Sequence, residues 1–148
     1  MTNITDAPPS TVLAFDFGLR QMGIATGNTL LETTQPLAVI KAKDGIPDWT
    51  AVEAIVSEWQ PSLLIVGDPL NMDGSDSELC LRARKFARRL EARLGTPVIL
   101  VDERLSSFEA KQSQKALGHS GNYKKHPVDS QAAELILRTW LAEQNGRA

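Results

Sequence analysis

The chain has 148 residues, of which 42% are hydrophobic and 23% charged, and these values are typical of one globular domain with a sizeable core. Its longest apolar runs have the length of strands, which excludes a membrane span, and its first residues lack the basic start and apolar stretch of a targeting signal. The single cysteine, Cys80, excludes an internal disulfide and a cysteine-based metal cage and suits a reducing cytoplasm. We expect a flexible tail over residues 1–10 and a single domain over residues 11–145.

The net charge of −2 hides an uneven distribution along the chain. Residues 79–125 contain eleven basic and four acidic side chains, a local net charge of +7, and the rest of the chain carries −9. About a third of the chain can therefore present a basic face to an anionic partner. A solvated, arginine-rich helix is the alternative interpretation of the same pattern.

The first predicted strand is the apolar run from Thr11 to Phe17, closed by Gly18. Alternation along a strand puts Asp16 on the same face as Val12 and Ala14, at the point where the strand ends. A carboxylate beside a buried layer is costly without a compensating cation. From this stretch alone, Asp16 either caps the turn at Gly18 or binds a metal.

Two further strands and a helix follow. The segment 19–27 predicts a strand that pairs with the first as a hairpin, and residues 35–41 predict a third antiparallel strand. Pro36 fits best at a strand start or at a sheet edge. Asp48 can cap a helix with apolar residues at helical spacing, which Pro61 ends.

The middle of the chain predicts a buried strand over residues 62–67 and then a loop over residues 68–75 that is dense in turn formers. Loops at the carboxyl ends of such strands host ligands in α/β sheets. The helix over residues 77–94, closed by Gly95, keeps its basic side chains outside its apolar stripe. Those side chains are Arg82, Arg84, Lys85, Arg88, Arg89 and Arg93.

The last strand, residues 97–101, runs directly into Asp102-Glu103-Arg104 and so repeats the pattern of an acid at a strand end. A short helix over residues 106–117 and a polar loop over residues 118–127, which contains Lys124 and Lys125, are predicted next. The final helix, residues 128–143, has Asp129 in its first turn.

Acids therefore end the first and last strands and begin the final helix. If they converge, they repel one another unless a divalent cation is bound. Carboxylate oxygens are the ligands that Mg²⁺ and Mn²⁺ prefer, and two such ions can activate a water and stabilise the leaving oxygen of a phosphodiester. A nuclease follows from the cluster if it forms, with the basic helix holding the nucleic-acid backbone.

Five ordered motifs resemble the bacterial YqgF/RuvX family, described as Holliday junction resolvases and as pre-16S rRNA nucleases. They are FDFG at residues 15–18, VGDPLNMDG at residues 66–74, RARKF at residues 82–86, DERLS at residues 102–106 and VDS at residues 128–130. The resemblance implies an α/β ribonuclease H-like fold, with a five-stranded mixed sheet of three antiparallel and then two parallel strands flanked by helices. It also implies a cytoplasmic location and metal-dependent cleavage of nucleic acid.

Carried over by residue, the resemblance makes Asp16, Glu103 and Asp129 the catalytic acids and the ligands of Mg²⁺ or Mn²⁺, with two ions expected. Adjacent strand residues face opposite ways, so only one of Asp102 and Glu103 is expected to point at the metals, and the longer Glu103 is favoured over Asp102. Asn71 and Asp73, together with Gly18, shape the rim of the site, and Arg104 pairs with a carboxylate or a phosphate. Asp68 either weakens nucleic-acid binding or points to solvent. The expected nucleic-acid-binding residues are Arg82, Lys85, Arg88, Arg89, Arg104, Lys124 and Lys125.

The leading hypothesis is an endonuclease that processes the 5′ end of precursor 16S rRNA, with the ribosome as a further candidate partner. Branched DNA is the alternative substrate, and a stable dimer favours it because junction resolution needs two symmetric active sites. A monomer or a weak homodimer is the expectation, and no membrane is involved. Two other classes stay open: a non-catalytic nucleic-acid-binding module and an actin-type ATP-binding fold, for which the chain lacks a second phosphate loop.

Overall fold

The computed structural model describes residues 10–104 and 128–145, with side chains for 10–104 and 130–144. Its elements in chain order are β1 (Thr11–Asp16), β2 (Gln21–Asn28), β3 (Thr33–Lys43), β4 (Ile46–Pro47), α1 (Trp49–Trp59), β5 (Leu63–Asp68), α2 (Glu78–Leu94), β6 (Val98–Asp102) and α3 (Val128–Asn145). The tail, the helix predicted over residues 106–117, the following loop and the side chain of Asp129 lie outside the described part. None of the described helices is both long and apolar enough to cross a membrane.

The strands form one mixed sheet in the order β4-β3-β2-β1-β5-β6. The first three strands are antiparallel neighbours, whereas β5 and β6 run parallel to β1. The α/β class and this pattern are confirmed, but the predicted count of five strands is wrong. The sixth strand is the two-residue β4, which pairs with the end of β3. A strand of that length has too few residues to show an alternating pattern.

Pro36 lies inside β3 rather than at its start. The register between β2 and β3 shifts where Ile24 faces Ala38 and the next residue, Ala25, faces Pro36. Leu37 is therefore the extra residue of a β-bulge, and a bulge is one of the few positions where a strand tolerates proline.

The sheet separates two apolar layers. On one side, Leu13, Phe15 and Phe17 of β1 and its extension pack with α1 and α2. On the other side, Val12 and Ala14 pack with α3. This is the alternation predicted for β1, and it puts Asp16 on the α3 side of the sheet.

Local signals determine where the helices begin and end. The side chain of Asp48 accepts hydrogen bonds from the amides of Thr50 and Ala51 at the start of α1. Ser77 caps α2 in the same way, and Gly95 ends that helix in the left-handed conformation, with φ of 72°. These ends confirm both predicted helices.

Phe86 joins α2 to the apolar layer between the sheet and helices α1 and α2, so its truncation to alanine tests the packing of that layer directly. Its ring lies 5.8 Å from Phe15, 5.6 Å from Phe17 and 6.0 Å from Trp49, measured between ring centroids. We expect Phe86→Ala to lower the free energy of unfolding by about 3–5 kcal/mol, measured by urea denaturation. Leu81→Ala on the exposed side of the same helix is the control, with an expected change of about 0.5 kcal/mol or less. An equal loss in both variants contradicts the role assigned to Phe86.

Candidate active site

Four acids lie at or next to the carboxyl ends of the parallel strands β1, β5 and β6. Asp16 ends β1, Asp68 ends β5, and Asp102 ends β6 directly opposite Asp68 in the register. Glu103 follows Asp102 and begins a helical segment. Because the three strands run in the same direction, all four acids lie at one edge of the sheet.

The strand alternation divides these acids between the two sides of the sheet. Asp68 is two residues beyond Val66, which packs in the layer beneath α1 and α2. Asp102 is one residue beyond Val101, which packs in the α3 layer, so Asp102 shares the α2 side with Asp68. Asp16 is on the α3 side.

Glu103 joins Asp16. The two side chains are hydrogen-bonded to each other, and both residues are partly buried. Burial raises the pKa of Glu103, the hydrogen bond to Asp16 acts in the opposite direction, and the negative charges of Asp68 and Asp102 raise it further. Two carboxyl groups can share a hydrogen bond only while one of them carries a proton.

Gly67 leaves room for this contact. A Cβ atom at position 67 would lie 2.7 Å from Cδ1 of Ile136 on α3 and 3.1 Å from Oε2 of Glu103. The Glu103 carboxyl group therefore lies against the β5 backbone and next to α3. Sequence reasoning missed Gly67, although an isolated glycine in an apolar strand is a recognised signal of such a close approach.

The third predicted ligand cannot be located from side chains, because the described part of α3 includes only the backbone of Asp129. Among the described side chains, no group of three acids, histidines or cysteines is close enough to hold a metal ion. The structure thus brings together two of the three predicted catalytic acids, Asp16 and Glu103.

Asp102 has a different partner. Its carboxylate accepts hydrogen bonds from the amide of Arg104 and from the guanidinium of the same residue, with a shortest distance of 2.6 Å. These hydrogen bonds lower the pKa of Asp102 against the opposing effect of burial. Arg104 also donates to the carbonyl oxygen of Met72, at 3.2 Å, and so ties the end of β6 to the loop after β5.

Asp68 is buried, with 8% of its surface exposed, so the alternative that it points to solvent is wrong. Its Oδ2 accepts hydrogen bonds from Nε and Nη2 of Arg84, at 3.3 and 3.0 Å. Arg84 also bonds Asp76 at 3.0 Å, and both carboxylates raise the pKa of Arg84. The sequence pattern does not predict this ion pair, because sixteen residues and a loop separate the two partners.

The loop between β5 and α2 is held by its own polar side chains. Asn71 donates to Oγ of Ser75 and to the carbonyl oxygen of Asp76, and Asp73 accepts from the amide and hydroxyl of Ser75. The Ser75 hydroxyl is the main cause of a lowered pKa at Asp73. Gly18 shapes the β1–β2 turn in a different way, because its lack of a side chain leaves room for the carbonyl oxygen of Gln21, which a Cβ atom there would overlap.

The basic side chains of α2 fall into two groups. Arg82, Arg84 and Arg93 are each paired with an acid, namely Asp44, Asp68 with Asp76, and Glu53. Lys85, Arg88 and Arg89 are exposed and form no ion pair with another described residue. We call these three residues the basic face of α2.

Comparison with known proteins identifies close relatives. A model of the family described as "RuvX: Holliday junction resolvase" matches residues 10–143. A protein of Marinobacter nauticus named "Putative pre-16S rRNA nuclease" is 53% identical over 135 residues, covering 91% of this chain and 94% of that protein. A protein of the same name from Azotobacter vinelandii is 49% identical over 136 residues, covering 92% and 96% of the two chains.

The solved structure "T. thermophilus RuvC in complex with Holliday junction substrate" matches with a TM-score of 0.57 and 15% identity, over 93% of this chain and 96% of the other. A second structure, "Thermus thermophilus RuvC structure", gives a TM-score of 0.54 and 13% identity, over 92% and 96%. At these identities the similarity establishes the fold, and it confirms the predicted ribonuclease H-like class. None of these matches supports the actin-type alternative.

Proposed function

Because the chain belongs to the RuvX family, we propose that it is a divalent-metal-dependent endonuclease that processes the 5′ end of precursor 16S rRNA. The nuclease class, a hydrolase of phosphodiester bonds, follows from the family and from relatives that are about half identical over nearly their whole length. The RNA substrate is taken from the names of those relatives. The contact between Asp16 and Glu103 is the observation in this chain that supports a metal-dependent active site.

The chemistry of that contact fits a bound cation. A partly buried pair of carboxyl groups in contact needs either a shared proton or a positive charge, and carboxylate oxygens are preferred ligands of Mg²⁺ and Mn²⁺. We assign Asp16 and Glu103 as ligands. When bound, two such ions would activate a water and stabilise the leaving oxygen of the phosphodiester.

Asp129 is proposed as the third ligand from its place on α3. Position 129 precedes Ile136 by seven residues, two helical turns, and Ile136 lies beside the site occupied by Glu103 and Gly67. Position 129 also lies four residues, about one helical turn, before Ala133, which is fully buried against the sheet. Position 129 therefore shares a helix face with Ala133 and Ile136, which supports the proposal of Asp129 as the third ligand.

The remaining predicted residues would bind the nucleic-acid backbone. The basic face of α2 is the strongest candidate, because its charges are exposed and unneutralised by described acids. Arg82 would contribute less, since it donates to both the carbonyl oxygen and the carboxylate of Asp44. Lys124 and Lys125 remain sequence-based proposals for the same role.

Charge reversal tests the basic face. We expect Arg88→Glu combined with Arg89→Glu to weaken binding of single-stranded RNA and to reduce the salt slope of log K by about 1.4, because each phosphate contact contributes about 0.7. Fluorescence anisotropy at several salt concentrations measures both quantities. Arg138→Glu, a single reversal on α3 that changes the net charge by half as much, controls for added negative charge away from this face. Unchanged affinity of the double variant at low salt contradicts the assignment of this face.

The proposed activity is tested by incubating the protein with a labelled precursor 16S rRNA fragment, with Mg²⁺, with Mn²⁺ or with EDTA. The expected result is a defined cleavage in the 5′ leader that depends on the metal and is lost in EDTA. A fragment that remains intact with both metals contradicts the proposal.

The soluble fraction of the cytoplasm is the proposed location, and ribosomal precursor particles provide the natural form of the substrate.

A four-way DNA junction is the second candidate substrate, favoured by the family description. Resolution of a junction needs two active sites related by symmetry. The same cleavage assay with a labelled junction, together with sedimentation to determine the oligomeric state, separates the two functions. Symmetric nicking by a stable dimer supports the junction, whereas a monomer that cleaves only RNA supports rRNA processing.

A further inference from the structure

A cavity of about 200 Å³ lies between the basic face of α2 and the turn that joins β3 to β4. Its floor is formed by the aromatic rings of Phe17, Phe86 and Trp49, and one wall by Ile46 and Pro47. Lys85 and Arg89 lie at the cationic side of the cavity. The cavity therefore combines an apolar surface with two positive charges.

The cavity opens at the same edge of the sheet as the acids of the candidate active site. Phe17 is the residue after Asp16 but belongs to the opposite layer of the sheet. The β3–β4 turn is fixed to the β1–β2 connection by hydrogen bonds from the amide of Gly45 to the carbonyl oxygen of Leu19, at 2.9 Å, and from Ala42 to Arg20, at 2.8 Å. The cavity and the candidate active site therefore both lie next to the end of β1, on opposite sides of the sheet.

The charges around the cavity favour an anion. Arg82 and Asp44 also line it, but they neutralise each other through an ion pair of 3.0 Å. Lys85 and Arg89 have no such partner among the described residues. The remaining net charge is thus positive and lies beside apolar side chains. Inorganic phosphate would contact only the charges, whereas a nucleotide would also contact the apolar side chains.

From these features we infer that the cavity binds one nucleotide of the substrate strand that flanks the cleavage position. This inference rests on the proposed nuclease function. Lys85 and Arg89 contact the phosphate, and the base lies against Ile46, Pro47 and the ring edges. The base does not stack on Trp49, because Phe86 stacks on that ring and the guanidinium carbon of Arg93 lies 4.6 Å from its centroid. The volume is below the roughly 300–1,000 Å³ of sites that enclose a drug-sized ligand, so the cavity would hold part of the nucleotide and leave the rest exposed to solvent.

The indole N–H signals of the three tryptophans provide a direct test by ¹⁵N NMR in EDTA, with no cleavage required. The probes are uridine 5′-monophosphate, uridine, inorganic phosphate and a 5′-phosphorylated uridine trinucleotide. Uridine 5′-monophosphate is expected to shift the Trp49 signal, identified with Trp49→Phe, while Trp59 and Trp140 serve as internal references. An equal effect of inorganic phosphate overturns the inference. The trinucleotide is expected to bind at least about fivefold more tightly, and equal affinity points to a free nucleotide instead and overturns the assignment to the substrate strand.

Two variants make the test specific. Lys85→Ala combined with Arg89→Ala is expected to weaken binding of uridine 5′-monophosphate by about tenfold or more. Arg138 on α3 does not line the cavity and lies outside the basic face of α2, so Arg138→Ala is the control, with an expected change of less than about twofold. Equal weakening by both variants overturns the inference. Failure of the proposed function is seen separately, as a wild-type protein that binds the probes but cleaves no substrate with Mg²⁺ or Mn²⁺.

Discussion

Asp16→Asn is expected to reduce metal-dependent cleavage by about 10³-fold or more. Asparagine has the shape of aspartate but lacks the charge, so the substitution removes a metal ligand with little change in packing. Loss of about 4 kcal/mol of the stabilisation that a bound metal gives the transition state corresponds to about three powers of ten in rate. The rate of cleavage of labelled RNA in Mn²⁺ and in Mg²⁺ measures the effect.

Two controls distinguish a lost ligand from a damaged fold. First, the free energy of unfolding of Asp16→Asn is expected to equal or exceed that of the wild type in EDTA, because one member of a partly buried acid pair loses its charge. Second, RNA binding in EDTA is expected to persist, since the basic face of α2 is unchanged. Full activity of Asp16→Asn contradicts the assignment of a metal site at the end of β1.

Much of the fold could be predicted from the sequence, because the determining signals are local. The alternation of β1 gave its two faces, Asp48 and Ser77 marked the starts of two helices, and Gly95 marked an end. The five ordered motifs indicated the fold class through their resemblance to a known family. The errors occur where local signals are weak: β4 is too short to show a pattern, and the bulge at Pro36 depends on the register with β2.

The site was less predictable, because it depends on which side of the sheet each acid occupies. Alternation predicted that only one of the two adjacent acids faces the metals, and the greater length of glutamate favoured Glu103, but the contact between Glu103 and Asp16 also needs the open space at Gly67. The burial of Asp68 depends on Arg84, which approaches from a different element. Such long-range ion pairs leave no periodic signal in a single sequence. The role of Asp129 is still a prediction.

Glu103→Gln and Asp102→Asn are expected to separate the two adjacent acids through both activity and stability. Glu103→Gln removes a proposed ligand, and we expect cleavage to fall by about 10²-fold or more. Asp102 bonds to Arg104 on the other side of the sheet, so Asp102→Asn is expected to retain cleavage within about tenfold of the wild type. Initial rates with the same labelled RNA at saturating Mn²⁺ provide the comparison.

The two variants should also change stability in opposite directions at pH 7. The folded-state pKa of Glu103 is raised, so between its ordinary pKa and the raised value the folded state binds more protons than the unfolded state, and stability falls as the pH rises. Glu103→Gln removes that cost and is expected to be more stable than the wild type at pH 7. The folded-state pKa of Asp102 is lowered, so its contribution is present above its ordinary pKa and is lost as the pH falls through the lowered value.

Asp102→Asn is therefore expected to be less stable than the wild type at pH 7, by an amount that disappears in acid. Urea denaturation in EDTA, from about pH 3 to pH 7, measures both differences. A more stable but inactive Glu103→Gln beside a less stable but active Asp102→Asn is the result that the geometry predicts. The reverse assignment, with activity lost at Asp102 and kept at Glu103, contradicts it. Although the two acids are adjacent in the chain, they face opposite sides of the sheet and meet different partners there, and this difference produces the opposition.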